Sequence, residues 1–373
     1  MKFMGVLRRR FSRRSLLLSG IAAAGLSAQG KKGEVFPREL KHYADASTEL
    51  DVYRITSPEY SSTLPAYYNR AIGRRNAFVL LCSDRGGSAQ GFRLDLYSGE
   101  AKQVTDAEDF DGATLSLSPD GRSFCYFAGR VLHTTNLSTL RDRELYTAPD
   151  GWERAPGMNV GPDGAQAVFA ETRGDQSRLR VVSLTTGLAR TAIELPFVVS
   201  DPIARPLRAQ ILCRQGNQAL WVVNSDGSQK RQLKLAPGRI GPANWSADGK
   251  TVLYLSFPED PTQLNSIREC APDSNSESLV AKTSQFAHFG FNRDSSVFIG
   301  ASRNAASPTI LILLRVTRRE LTLCEHKSSH PETVAPRFSA DSQHIFFGSD
   351  RDGKPAIYAM HIDKLVERTP DGS

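Results

Sequence analysis

The 373 residues divide into a strongly basic beginning and a near-neutral remainder, and this removes the function class that the bulk charge suggests first. The formal net charge is +7 with a sequence pI near 9.2, but residues 1–28 hold six basic residues and no acid, which leaves +1 and no basic stripe of the kind a nucleic-acid binder carries. Five scattered cysteines, an odd number with no CxxC pair, exclude a disulfide framework and a cysteine-built metal or redox motif.

The first element in chain order is a targeting segment. Arg8, Arg9, Arg10, Arg13 and Arg14 form a basic n-region, and Leu16 to Ala28 is an apolar run of 13 residues ending in small side chains. A membrane-spanning helix needs about 20 residues, so the run reads as the h-region and cleavage site of an export signal. Ser12-Arg13-Arg14-Ser15-Leu16-Leu17 resembles the twin-arginine motif, which a receptor reads and which does not anchor the mature chain. The expectation is a twin-arginine-type signal over 1–28, then one domain over 29–373 in the periplasm or secreted, with no membrane attachment after signal removal.

The remainder repeats. A polar turn of the type x-Asp-Gly precedes an apolar run at Ser118-Pro119-Asp120-Gly121, Gly161-Pro162-Asp163-Gly164 and Ser246-Ala247-Asp248-Gly249. Asn292-Arg293-Asp294-Ser295 and Ser339-Ala340-Asp341-Ser342 fit the same pattern, and Gly73-Arg74-Arg75-Asn76 and Arg205-Pro206-Leu207-Arg208 are degenerate copies. Starts at 73, 118, 161, 205, 246, 292 and 339 are spaced by 41 to 47 residues. That period fits four-stranded propeller blades, typically about 40–45 residues each. Asp-Gly supplies the positive φ of a tight hairpin turn. Third strands are predicted at Gln90–Leu96, Gly129–Asn136, Leu179–Leu184, Ala219–Asn224, Thr309–Val316 and Ala356–His361, with outer strands such as Gly99–Thr105 and Gly227–Leu233.

The fold predicted is therefore an all-β, seven-bladed β-propeller. Its last unit has three strands, while Leu50–Thr56, ahead of the first unit, alternates like an outer strand. A propeller must hide its sheet edges, so this segment is predicted to pair into the last blade and close the ring.

Residues just before each turn converge on the central channel. Tyr67, Tyr68, Asn69 and Arg70 line it from the first unit, followed by Asp111, Arg154, Asn159, Arg205, Asn244, His288 and the stretch His330 to Arg337. The excess of cations suits an anionic ligand, because guanidinium groups bind carboxylates bidentately. His42, His133, His344 and His361 read as structural or exposed.

The chain resembles the oligogalacturonate lyases, which share a propeller with the broader TolB-like group. The residues that carry the resemblance are Phe92–Glu100, Trp221–Gly227, Leu323–Ser329 and above all Pro336–Asp341 with Phe346–Tyr358. The resemblance implies β-elimination on pectin-derived galacturonate oligomers, an acidic oligosaccharide partner, a Mn²⁺-type divalent ion held by three histidines and a glutamine, and a His or Arg base. His288 matches one ligand of that family. Thr333 and Ala335 stand where two others would be, and His330 stands where the glutamine would be, so the expected metal set is His288, His330 and Glu332. Pro242 and Ala219 occupy the positions of the family's base, which leaves Arg205 and Arg214 as the catalytic candidates. Tyr67, Tyr68, Asn69, Arg70, Asn244 and Arg337 are the expected substrate-binding residues. The alternative is a non-catalytic TolB-like propeller that binds acidic sugars or docks a protein partner; on either reading the chain is expected to be a monomer.

Overall fold

The computed structural model describes residues 31–368, so the export signal expected over 1–28 lies outside the described residues. Seven antiparallel sheets stand around a central channel in chain order. In every blade the turn named above joins the innermost strand to the second. All seven turn starts share one backbone bond: the N–H of Gly73, Ser118, Gly161, Arg205, Ser246, Asn292 and Ser339 each donates to the carbonyl five residues on. The degenerate copies at 73 and 205 thus close like the Asp-Gly copies.

The aspartates stay in these turns because their carboxylates cap the turn backbone. Asp120 accepts from the Ser118 hydroxyl at 2.5 Å and the Arg122 N–H at 2.9 Å. Asp248 accepts from the Lys250 N–H at 3.0 Å and the Ser246 hydroxyl at 2.7 Å. The Ser118 hydroxyl first, and then the Arg122 N–H, hold Asp120 below the usual carboxylate value of 3.8; for Asp248 the Lys250 N–H leads. A depressed folded-state value means stability that is present above the unfolded value and lost as pH falls through the folded one. Melting temperature is therefore expected to hold above about pH 5 and to drop below about pH 4. Asp120→Asn with Asp248→Asn should flatten that drop in a pH series of thermal melts.

The second strand of each blade is an unbroken apolar run because both of its faces are covered. Phe78–Ser83 shows the rule: Leu80 packs toward the second blade with Leu115 and Tyr126, while Val79 and Leu81 pack toward the seventh with Phe346 and Ile357. The period-2 alternation of a strand sends successive side chains to opposite blades. The apolar core accordingly forms seven clusters, one at each interface between neighbouring blades, and the cluster between the seventh and the first shows that the ring is closed. The cysteines belong to these layers. Burial pushes the Cys125 and Cys213 thiols up to about 12, and both serve as small apolar groups.

Closure follows the predicted route and adds to it. Strand Asp51–Arg54 pairs antiparallel with Ala356–His361 of the last blade, with Tyr53 opposite Ala359. Lys41–Ala44 extends that sheet by one more strand, and Val35–Phe36 crosses to pair with Ala101–Gln103 of the first blade. One N-terminal segment thereby holds both sides of the seam.

Candidate functional site at the mouth of the channel

The innermost strand of the first blade is interrupted, and the interruption builds the site. Ser62–Thr63 pairs with Ser83 and Cys82, and pairing resumes at Ala71 and Ile72 against Leu80 and Val79. Residues 64–70 leave the sheet and enter the channel. Their polar groups are then satisfied by other blades: Ala66 N–H donates to Ala113 O at 2.9 Å, and Tyr67 Oη both donates to Ala243 O and accepts from Ala243 N–H at 2.9 Å. Asn159 Nδ2 donates to Tyr68 O at 3.4 Å and to Asn69 Oδ1 at 3.3 Å. Tyr68 Oη donates to Asp201 Oδ1 at 2.9 Å. Burial raises both tyrosine hydroxyls above their usual value, so both act as neutral phenols.

Counted back four residues from the seven turn starts, equivalent positions make one layer by alignment: Asn69, Thr114, Gly157, Asp201, Pro242, His288 and Ala335. Gly157 is dictated by this layer. Its φ is +92°, and a Cβ there would lie 2.5 Å from Tyr68 Oη and 2.8 Å from the Asp201 backbone. Asp201 and His288 are the layer's titratable members.

Around them the structure gathers charge. Arg214, on the strand paired to that of Asp201, places Nε 3.8 Å from Asp201 Oδ2 and donates to Ile240 O at 3.0 Å and to Gly241 O. Arg154 pairs with Asp111 and lies over the Phe127 ring. His288 is only 6% exposed, its ring meets Tyr67 edge-on at 5.0 Å between centroids, and its Nδ1 has no hydrogen-bond partner. Burial, then the Arg337 and Arg214 charges, push its pKa down to about 3, so the imidazole is neutral. Arg337, 8% exposed, donates from Nη2 to Pro65 O at 2.7 Å, while Nε and Nη1 have no partner. Burial lowers its pKa to about 10, which still leaves it charged near neutral pH.

Tyr67, Tyr68, Asn69, Arg214, His288 and Arg337 thus come together. Arg205, His330 and Glu332 do not. Arg205 sits at a turn beyond the channel, where Nε donates to Gly249 O at 2.7 Å, Nη1 and Nη2 grip both Asp273 oxygens at 3.0 and 2.8 Å, and the guanidinium lies over the Trp245 ring. It ties the fourth blade to the fifth rather than facing a substrate. Arg70 is exposed near the turns, with Arg74 and Arg293 as its charged neighbours. Asn244 accepts the Trp245 N–H at 2.8 Å. His330 and Glu332 are about two-thirds exposed on a short 3-10 turn, 3.7 Å from each other. They do not join His288, and among the described residues no three His, Cys, Asp or Glu side chains are grouped to hold a metal ion. The expected set His288, His330 and Glu332 is corrected accordingly. The donor chemistry around His288 does not fit a divalent cation, because the charges that act on its ring are those of Arg337 and Arg214, and a guanidinium has no acceptor to offer a cation. Asp201 and its bond to Tyr68 were missed, because the fourth unit lacks the Asp-Gly signal; alignment on the turn starts puts Asp201 level with His288.

Comparison with known proteins agrees with the propeller fold. Residues 28–173 match the profile of a family described as oligogalacturonate lyase. The chain is 24% identical to the oligogalacturonide lyase of Pectobacterium atrosepticum and to the oligogalacturonate lyase of Dickeya dadantii, each match covering 90% of this chain and 99% of the relative. A solved oligogalacturonate lyase in complex with manganese superposes with a TM-score of 0.83 at 24% identity, over 88% of this chain and 98% of that one. The oligogalacturonate lyase structure from Vibrio parahaemolyticus gives 0.83 at 22% identity, over 89% and 99%. In sequence pattern and in fold, this chain is an oligogalacturonate-lyase-like seven-bladed propeller.

Proposed function

We propose that the chain binds oligogalacturonides at the channel mouth and cleaves them by β-elimination, with arginine in place of the divalent ion. The observation that carries this reading is the buried Arg337 guanidinium with two donor nitrogens unpaired, next to Arg214 and the neutral His288. Elimination first needs the uronate carboxylate neutralised, so that the proton on the adjacent ring carbon becomes acidic. A guanidinium does this with two parallel N–H donors and no metal. His288 Nδ1, which has no partner, is the group to take the proton from C5 once the bound uronate carboxylate offsets the Arg337 and Arg214 charges that depress its basicity. The C5–H electrons form the C4=C5 double bond, the C4–O4 bond breaks, and solvent protonates the departing oxygen. Arg214, held by two carbonyls and Asp201, serves as a fixed positive charge rather than a base. No step is routed through a metal, because the residues present do not fit one. The export signal read in residues 1–28 would place this chemistry in the periplasm or outside the cell.

A second reading, carbohydrate binding without turnover, is favoured by the Tyr67 ring that covers His288. The two readings separate in one experiment. Purified protein is mixed with digalacturonate and trigalacturonate, and the ultraviolet absorbance of the unsaturated product is followed beside calorimetric binding. A steady rise establishes the lyase, binding without a rise establishes the second reading, and neither signal removes both.

A further inference from the structure

On the same face as the channel mouth, between the fifth and sixth blades, lies a cavity of about 480 Å³ whose walls include Arg239, Phe257, Glu259, Gln285 and Arg303. That volume lies within the range of small-ligand sites. Phe257 is half-buried and carries two guanidinium groups: Arg239 Cζ is 5.4 Å and Arg303 Cζ is 4.8 Å from its ring centroid. Both arginines are exposed, and among the described residues neither has an ion-pair partner within 4.0 Å. Of the two acids in the wall, Asp260 is turned back into its own loop, accepting from Thr262 N–H at 2.9 Å and the Thr262 hydroxyl at 2.7 Å. Glu259 keeps an exposed carboxylate. The cavity adjoins the site described above. A Cβ on Gly241 would lie 2.7 Å from Phe257 Cε2, and the Gly241 carbonyl is one of the two that hold Arg214.

We propose that this cavity is an outer uronate subsite, occupied by the third or a later sugar of a chain whose reacting residue lies at Arg214 and Arg337. The inference rests on the oligogalacturonide reading. Each face of a galacturonate unit finds its complement here. The carboxylate takes the free guanidinium groups of Arg239 and Arg303, the apolar C–H face lies against Phe257, and a ring hydroxyl donates to Glu259. Two free cations beside one aromatic ring distinguish this cavity from another among the described residues. That one, near His133 and Asp142, is walled by Asp106, Glu108 and Asp142 against Lys32.

The test compares oligomer lengths. Calorimetry with digalacturonate and tetragalacturonate on the wild-type protein should show tighter binding of the longer chain, on the order of tenfold for one added charge-assisted contact. Arg239→Ser with Arg303→Ser should remove that gain and leave digalacturonate binding unchanged; both side chains are exposed, and an unchanged melting temperature would confirm an intact fold. Phe257→Leu should lower the gain in part. A length preference that survives in the double variant overturns the subsite alone. Failure of the wild type to bind either length overturns the subsite together with the reading on which it rests.

Discussion

Arg337→Met is expected to lower kcat/KM on trigalacturonate by about 10²–10³-fold, the loss typical of removing one preorganised charge-stabilising donor. The same substitution should leave the melting temperature level or raise it. Arg337 is buried with two unpaired nitrogens and makes one bond, to Pro65 O, so a methionine of similar length removes a desolvated charge while keeping its packing. A residue kept for structure would show the opposite pairing, with stability lost and turnover intact. Arg337→Lys should recover part of the activity, since an ammonium restores the charge without the two-pronged geometry. Arg214→Met should also reduce turnover, but at some cost in stability, because Arg214 ties two backbone carbonyls of the fifth blade to Asp201.

The second large effect lies at the seam. Val52 is fully buried among Ile345, Tyr358 and Met360, in the strand that pairs with the last blade. Val52→Asp would bury an unpaired carboxyl group there, and even in its neutral, protonated form this costs roughly 2–7 kcal/mol. Typical domain stabilities are only about 5–15 kcal/mol. The expected result is a denaturation midpoint shifted far down, with soluble aggregates on gel filtration from the freed edge of Ala356–His361. A control on the exposed side of the same segment, Asp51→Asn, should change little beyond the His42–Asp51 contact. Equal behaviour of the two variants would mean that the segment does not hold the ring closed.

The architecture was legible because it is built from local signals repeated seven times. Asp120-Gly121, Asp163-Gly164 and Asp248-Gly249 announce their turns by residue type alone, and period then locates the copies at 73 and 205, where the signal has decayed. The strand at Asp51–Arg54 was legible from its alternation and from the last unit's missing strand. Val35–Phe36 was not, because two residues carry no periodicity.

The site was legible only in part. Tyr67, Tyr68, His288 and Arg337 could be placed near the channel by counting from turns. Nothing local announces that residues 64–70 leave the sheet, since the bonds that hold them there reach 176 residues along the chain to Ala243. Arg205 and Arg214 look alike in sequence. Asp273, 68 residues away, makes the first a clamp between blades, while Asp201 and the Gly241 carbonyl hold the second at the mouth. The expected ligand set His288, His330 and Glu332 is not brought together, for a related reason. Matching residue types in order, His330 and Glu332 resemble ligands, but the turn that bears them holds both in solvent, and the charges felt by His288 are those of Arg337 and Arg214.

The central claim is that positive charge from arginine serves where a divalent ion would otherwise be needed. Its most direct test is turnover of trigalacturonate, read by product absorbance, after exhaustive dialysis against EDTA and again after Mn²⁺ is added back, with the metal content of the dialysed protein measured by mass spectrometry. The arginine account predicts an unchanged rate in EDTA, no gain with Mn²⁺ and far less than one metal per chain. Activity that disappears in EDTA, returns with Mn²⁺ and is lost again in His288→Ala would contradict it.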